Sequence, residues 1–419
     1  MDAVSGLLTQ VCLNSVSYLR LMDSKVQLNM WYYTRWISGK QYGDLYILSA
    51  VAKLETSPPT GYRGIVLNVW DDSINSQFYC CLKIGSAYRV ARAIQTSFYD
   101  KQTTAIASQY ICNIPLKNNT SSRVGVVVMD AIAEPSQQLD VIQKCKNVTY
   151  TKVYFPKSNE GKLGLCTKIA YSKLNPAHLI EWFEYQKMMG VDKVIAAKQD
   201  INSEALRVFK HYEEQGILET IDYPVQLPGD SSMINRTFEV GGRVFPQFSH
   251  DEQVSVYHCK ERLQGYQYAA VVDFDEFIVS SKNQTTLELI QDLTKQYPKA
   301  AAFTFYTTFF FTNKSMPENA TLTTTYLQTV GPRWECFKNI YIPTRVKTVT
   351  THTIEPLNSY ERKTVPDKTA VLHHYRECIR GEKWKDCSQL KKPDYIMLRH
   401  KKEIQSRIKT QMKLINTKR

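Results

Sequence analysis

The 419-residue chain lacks several features that would place it at once. No stretch approaches the roughly 18 uninterrupted apolar residues of a membrane-spanning helix. Its first residues, MDAVSGLLTQVCLN, lack the basic start and apolar run of a secretory leader. There is no Cys-x-x-Cys pair and no His-rich partner spacing, which argues against a structural zinc site. Strong charge is absent from most of the chain. Of the formal +13, residues 382–419 contribute 8, from nine Lys and three Arg against four acidic residues. Such a tail reads either as a contact for nucleic acid or an acidic membrane, through counterion release, or as a solvated, partly helical terminus; the second reading is preferred.

About 43% of residues are hydrophobic, enough for two domains with ordinary cores. Ten cysteines without metal spacing point to disulfides, and Cys378 with Cys387 would close a short loop. Seven Asn-x-Ser/Thr sequons, at Asn118, Asn119, Asn147, Asn235, Asn283, Asn313 and Asn319, fit a secretory-pathway protein. That compartment conflicts with the missing leader, and an N-terminal segment absent from this sequence would reconcile them.

From about residue 40 to 150 apolar residues alternate, as in GIVLNVW (Ile65, Leu67, Val69) and QFYCCLKI (Phe78, Cys80, Leu82, Ile84). Period two with Pro/Gly punctuation predicts a small antiparallel, sandwich-like β domain. After residue 160 strands alternate with bounded helices. LGLCTKIAY precedes Asn175-Pro176, an N-cap and first helical residue, and HLIEWFEYQKMM stops at Gly190. SEALRVFKHYEEQ, with Leu206, Phe209 and Tyr212 as its buried stripe, ends at Gly216 before ILETIDY. Capping boxes are expected at Ser249/Glu252 and Thr285/Glu288. This alternation predicts a mainly parallel sheet with helices on both faces.

In such sheets ligands bind beyond the carboxyl ends of the strands, and one strand, YAAVVDFDEFIV, ends there in Asp273, Asp275 and Glu276. Strand periodicity points Asp273 and Asp275 the same way, roughly 6 to 7 Å apart, and turns Phe274 into packing. Two converging carboxylates suit a divalent cation shared with substrate phosphates. A phosphatase Asp-x-Asp, with the first Asp as nucleophile, is a weaker reading, because that motif continues with Gly and then Thr or Val and opens its domain.

Four ordered motifs, EWFEYQKMMGVDKV, YQYAAVVDFDEFIV, FKNIYIPTRVKTVTTH and AVLHHYR, resemble glycosyltransferase family 92 over roughly residues 160 to 380. The resemblance implies an α/β GT-A nucleotide-sugar fold over residues 156–380, between a β-rich domain at 1–155 and a basic tail at 381–419. It also implies an inverting, type II Golgi-membrane transferase with UDP-galactose as donor, N-glycans or related glycans as acceptors, and Mn2+ or Mg2+ as cofactor.

On that resemblance Asp273 and Asp275 would hold the metal, joined by His352 and His374 from the third and fourth motifs. Asp273, Lys338 and Arg376 would meet the donor, the last two as phosphate contacts. Inversion needs a carboxylate base; Glu335 is chosen because it lies between the metal motif and Lys338, with Asp230 and Glu355 as competitors. Trp182 reads as packing, whereas Trp334 and the FYTTFFF run are candidate acceptor platforms, the run also reading as a buried strand. A non-catalytic glycan-binding protein that retains the fold is the rival function. It would lack UDP binding strengthened by Mn2+.

Overall fold

The computed structural model describes residues 32–37, 40–54, 61–72, 77–99, 103, 105–114, 116, 122–129, 138–223, 245–312, 321–377 and 392–417. Its first elements are β1 (Tyr32–Ile37), β2 (Lys40–Leu54), β3 (Tyr62–Asp71), β4 (Gln77–Ile84), β5 (Ala87–Phe98), β6 (Ile106–Cys112), β7 (Arg123–Met129), α1 (Gln138–Cys145) and β8 (Thr151–Tyr154). Then come β9 (Asn159–Ser172), α2 (Pro176–Met188), β10 (Val191–Ile201), α3 (Ser203–Glu214), β11 (Leu218–Asp222), α4 (Phe245–Arg262), β12 (Tyr266–Val271) and β13 (Glu276–Ser280). The remainder is α5 (Thr286–Gln296), β14 (Ala300–Thr312), α6 (Leu322–Thr325), β15 (Gln328–Tyr341), β16 (Val346–Val349), β17 (Ile354–Pro356), β18 (Glu361–Thr364), β19 (Ala370–Glu377), β20 (Lys392–Pro393) and α7 (Lys401–Thr417). Asp230, Cys378, Cys387 and the sequons at Asn118, Asn119, Asn235, Asn313 and Asn319 lie outside the described residues.

Contacts divide the chain into two units. One contains Met22–Asn159 and Pro224–Gly265; the other contains Glu160–Tyr223 and the chain from Tyr266 onward. These boundaries differ from the expected ones in two places, at α4 and at the C-terminal tail.

In the β-rich unit the strand path runs β1-β2-β3-β6-β5-β4-β7-β8, and β8 also pairs with β2. The sheet therefore closes on itself and is not a sandwich. Closure gives the backbones of β2 and β7 a partner at what would otherwise be open edges. The predicted alternation fills the interior with Ile65, Leu67, Val69, Phe78, Cys80 and Leu82. Adjacent strand residues face opposite ways, so Cys80 bonds Cys112 within this core, whereas Cys81 bonds Cys145 in a separate cluster with Val141 of α1. Among the described residues no cysteine is free.

Helix α4 packs on β2, β3 and β6 of this same unit. It starts at Phe245, so Ser249 and Glu252 lie inside it and do not cap it. Its buried polar residues meet the strands: Trp70 Nε1 donates to Asp251 at 2.9 Å, His258 Nδ1 lies 2.7 Å from the Ser49 hydroxyl, and Lys53 pairs with Glu261 at 2.9 Å.

The α/β unit holds a ten-stranded sheet in the order β11-β10-β9-β12-β15-β14-β19-β13, with β18 on β14 and β20 on β15. Pairing is parallel across β9, β10 and β11 and between β14 and both β18 and β19, but antiparallel at β12/β15, β14/β15 and β13/β19. The sheet is mixed, not mainly parallel. Parallel neighbours need crossover helices, and α2 and α3 supply them only for the first three strands. The Asn175 side chain caps α2 by accepting from Ala177 N at 2.8 Å, and Gly190, at φ 84°, ends that turn against Leu287, where a Cβ would not fit. The α3 stripe is Ala205, Val208, Phe209 and Tyr212, whereas Leu206 is 45% exposed. Both hydrogen bonds of the Thr285/Glu288 capping box are present.

The C-terminal tail is likewise not simply solvated. In α7, Ile404, Ile408 and Ile415 join the hydrophobic core of the α/β unit, and Arg407 reaches Glu184 at 3.4 Å. Spacing of four residues and then seven puts the three isoleucines on one helical face and leaves Lys402, Lys409 and Lys413 on the other.

Candidate active site

YAAVVDFDEFIV is two strands and not one. β12 stops at Val271, residues 272–275 turn, and β13 starts at Glu276. β12 lies between β9 and β15, whereas β13 lies at the sheet edge beyond β19. The carboxylates therefore occupy a switch in strand order, where open α/β sheets bind ligands.

The strand periodicity does not carry through this turn, and Asp273 and Asp275 have different partners. Phe274 does turn into packing, with its ring 5.0 Å from Trp182, 5.8 Å from Phe183 and 5.6 Å from Phe209. Trp182 is buried, and its Nε1 donates to the Glu276 carbonyl at 3.0 Å. Asp273 N donates to Glu276 Oε2 at 2.7 Å, and Glu276 N donates to the Asp273 carbonyl at 3.1 Å, closing the turn on itself.

Asp273 Oδ2 receives two ammonium groups, Lys338 at 3.1 Å and Lys168 at 3.2 Å. Lys338, whose side chain is 0% exposed, also meets Glu276 Oε2 at 3.1 Å. It is an internal counterion and not an open phosphate contact. Lys168 escaped the sequence reading, although a lone Lys inside the apolar strand LGLCTKIAY was a usable signal. Both lysines come from bulged strands. Ile195 and Ala197 pair with Cys166 and Ile169, and Phe305 and Thr307 pair with Lys338 and Arg333. Bulges re-aim side chains that a regular pleat would send elsewhere.

Burial opposes ionisation of Asp273, but Lys168 and Lys338 outweigh it and hold the carboxyl well below its ordinary range. Burial, with Asp273 and Asp275 nearby, pushes Glu276 up, against Lys338. Three carboxylates thus do not amount to three negative charges. With Asp273 Oδ2 held by two cations, a nucleophilic phosphatase role does not fit it.

His374 lies between the other two carboxylates, its Nε2 3.4 Å from Asp275 Oδ2 and its Nδ1 3.5 Å from Glu276 Oε1. The β13/β19 pairing places it there, since Glu276 and His374 are in register. His352 Nδ1 donates to the Phe337 carbonyl at 3.1 Å, which leaves Nε2 as the lone-pair nitrogen; that atom is buried with no hydrogen-bond partner among the described residues. Burial, then Lys338 and Lys168, pull His352 well below its ordinary value, so it is neutral. Arg376 is buried on β19 two residues beyond His374, on the same face.

Among the candidate bases, Glu355 is an exposed residue paired with Lys347 at 2.8 Å. Glu335 is half-buried, and its Oε2 has no hydrogen-bond partner among the described residues.

The metal set expected from sequence is not assembled: among the described residues no three His, Cys, Asp or Glu side chains are grouped to hold an ion. Asp273 is engaged by lysines, and His352 faces the same positive charge. Asp275 and His374 remain. Neighbouring ligands of a six-coordinate ion at about 2.1 Å are about 3 Å apart, so the 3.4 Å separation of Asp275 and His374 is compatible with two ligands of one cation.

The sequence model of glycosyltransferase family 92 matches residues 161–412. No curated protein matches. Among solved structures, residues 1–349 of S. aureus TarS align at 11% identity with a TM-score of 0.27, covering 51% of this chain and 60% of that one. A UDP-glucose pyrophosphorylase complexed with UDP-glucose aligns at 11% identity and 0.24, covering 52% and 90%. Likenesses this low carry no argument.

Proposed function

The chain belongs to glycosyltransferase family 92, and from that premise we propose that it transfers galactose from UDP-galactose to a hydroxyl of a glycan, with inversion and with a divalent cation. The observation that carries this is the convergence of Asp275 and His374 at 3.4 Å beside an Asp273 neutralised by two lysines, at the switch in strand order.

Lys168 and Lys338 offset the charges of Asp273 and Asp275, and Glu276 is pushed toward its neutral form, so an anionic diphosphate is not repelled from the carboxylate turn. Asp275 and His374 would hold Mn2+ or Mg2+, which when bound stabilises the negative charge of the departing diphosphate. Glu335 takes the proton of the acceptor hydroxyl as that oxygen attacks the anomeric carbon and the bond to UDP breaks on the opposite side. Arg376 serves the donor from the face that it shares with His374. Glycans of N-linked type are the proposed acceptors.

The proposed compartment is the Golgi lumen. The disulfides Cys80–Cys112 and Cys81–Cys145 of the β-rich unit and the exposed sequon residues Asn147 and Asn283 support an oxidising, glycosylating environment. No helix among the described residues is long and apolar enough to cross a membrane.

The test is calorimetric titration of UDP with and without Mn2+, alongside transfer from UDP-galactose to N-glycans before and after EDTA. UDP affinity strengthened by Mn2+ is expected, with transfer lost in EDTA and restored by Mn2+. No UDP affinity, or transfer indifferent to EDTA, would overturn the reading.

A further inference from the structure

We propose that the bulge of β15 is a stacking subsite for one pyranose ring of the acceptor, with Trp334 as its platform. This rests on the transferase reading above and specifies where its acceptor binds.

Strand β15 runs antiparallel to β12, with Ala269 opposite Tyr341 and Ala270 opposite Ile340. Residues of β15 that precede Lys338 therefore extend past the carboxyl end of β12, beyond the Asp273 turn. There the register breaks. Phe305 pairs with Lys338 and Thr307 with Arg333, so residues 334–337 face Tyr306 alone. An insertion of this size costs ladder hydrogen bonds, and it forces Cys336 to φ 50°, a conformation that a side chain rarely adopts. Cys336 is itself in a disulfide, which ties down the loop.

The bulge gathers half-buried aromatic rings. Trp334 stacks on Phe337 at 4.7 Å and 23°, and Tyr306 meets Trp334 edge-on at 5.0 Å. Phe337 lies 6.3 Å from the His352 ring, whose charge environment is set by Lys338 and Lys168. The aromatic group is thus continuous with the carboxylate–lysine cluster. Between Trp334 and Phe337 in the chain, Glu335 Oε2 is buried without a hydrogen-bond partner among the described residues.

A pyranose has faces of C–H groups, whose slightly positive hydrogens match the negative face of an aromatic ring, and a rim of hydroxyls that need acceptors. The half-buried rings match the faces, and Glu335, adjacent to Trp334 in the chain and itself half-buried, supplies a carboxylate for the rim. A nucleotide base also stacks on aromatic rings, but β9-α2-β10-α3-β11, a βαβαβ unit of the kind that binds a mononucleotide in doubly wound sheets, lies on the other side of β12 in the strand order. The sugar acceptor is the occupant that fits.

The full chain, produced in a secretory host, is examined by saturation-transfer NMR with a panel of methyl pyranosides (β-galactoside, β-N-acetylglucosaminide and α-fucoside), and by calorimetry with UDP. At least one pyranoside should bind the wild type through its ring protons. Trp334→Ala should weaken that binding at least about tenfold, and Trp334→Phe should stay within about threefold. UDP affinity should be unchanged within about twofold in both. Phe337→Leu, which keeps bulk but removes the stacked ring, should weaken sugar binding at least about fivefold and decides the matter if near-UV circular dichroism shows Trp334→Ala to be unfolded. No pyranoside bound by the wild type, binding undiminished in these variants, or UDP affinity falling in step with it would overturn the proposal, the last by assigning the rings to the base. A wild type that binds pyranosides through Trp334 but never binds UDP would support the subsite and refute the transferase reading alone.

Discussion

Both units bury charge, but they complete it differently. In the β-rich unit Glu261 meets Lys53 at 2.9 Å and Lys260 at 3.2 Å, and Gln109 adds a bond at 3.4 Å. Burial opposes ionisation there, yet the two lysines hold Glu261 down at about 2. In the α/β unit a comparable cluster stays incomplete: Glu276 Oε1, His374 Nδ1 and His352 Nε2 are buried without hydrogen-bond partners among the described residues. A closed network specifies a fold, whereas an incomplete one carries a desolvation cost that a ligand can relieve.

Glu261→Gln tests the closed network. It should lower unfolding free energy by about 3 kcal/mol in urea, since it leaves buried ammonium unpaired, while transfer per folded molecule is unchanged. Loss of transfer without loss of stability would erase the contrast between the units. Asp275→Asn should do the reverse. Its side chain is 31% exposed, so the melting temperature should barely move. Transfer should fall at least about a hundredfold, roughly 2.7 kcal/mol of transition-state stabilisation; near-normal transfer by the folded variant would count against the site.

Acid should separate the units as well. His258, in the β-rich unit, is pulled down to about 4 by burial. An unfolded His titrates near 6.5, so this contribution is present above about pH 6.5 and is lost as pH falls, by about 2 kcal/mol between pH 7 and 5. In the α/β unit burial also lowers His373, to about 4, and His352, but it raises Glu276 and takes Glu181 to about 7. Raised carboxyls act with the opposite sign: their contribution is present below the unfolded value near 4.5 and is lost as pH rises through the folded one. Hydrogen exchange at pH 7 and 5, corrected for intrinsic rates, should therefore show more loss of protection in the β-rich strands than in the α/β core. Equal loss in both would refute this balance. The smallest expected effect is local: Thr285→Ala removes one side of the capping box and should cost about 1 kcal/mol, visible as faster exchange in α5 alone.

Local signals in the sequence were read well where local physics decides the outcome. Asn175 caps its helix, Gly190 and Gly216 end theirs at positive φ, and Thr285 with Glu288 forms the capping box. Each depends on atoms within four residues. The Ser249/Glu252 pattern misled because the same letters lie inside a helix that begins at Phe245. Leu206 misled because four buried positions nearby satisfy the same period.

The sequence by itself determined that Asp273 and Asp275 follow an apolar strand in an α/β half, and that the aromatic Phe274 between them packs, because an apolar ring is buried whichever way the chain turns. It also determined family membership, since four ordered motifs do not need coordinates to be recognised. Only the tertiary structure decided which charges meet. Lys168 is 105 residues from Asp273 and Lys338 is 65 away, and both reach it through bulges that displace the regular side-chain direction. His374 reaches Asp275 because β19 pairs with β13 at the sheet edge. Such convergence depends on strand order and register, which are set by the burial of whole faces and not by the residues that then do the chemistry.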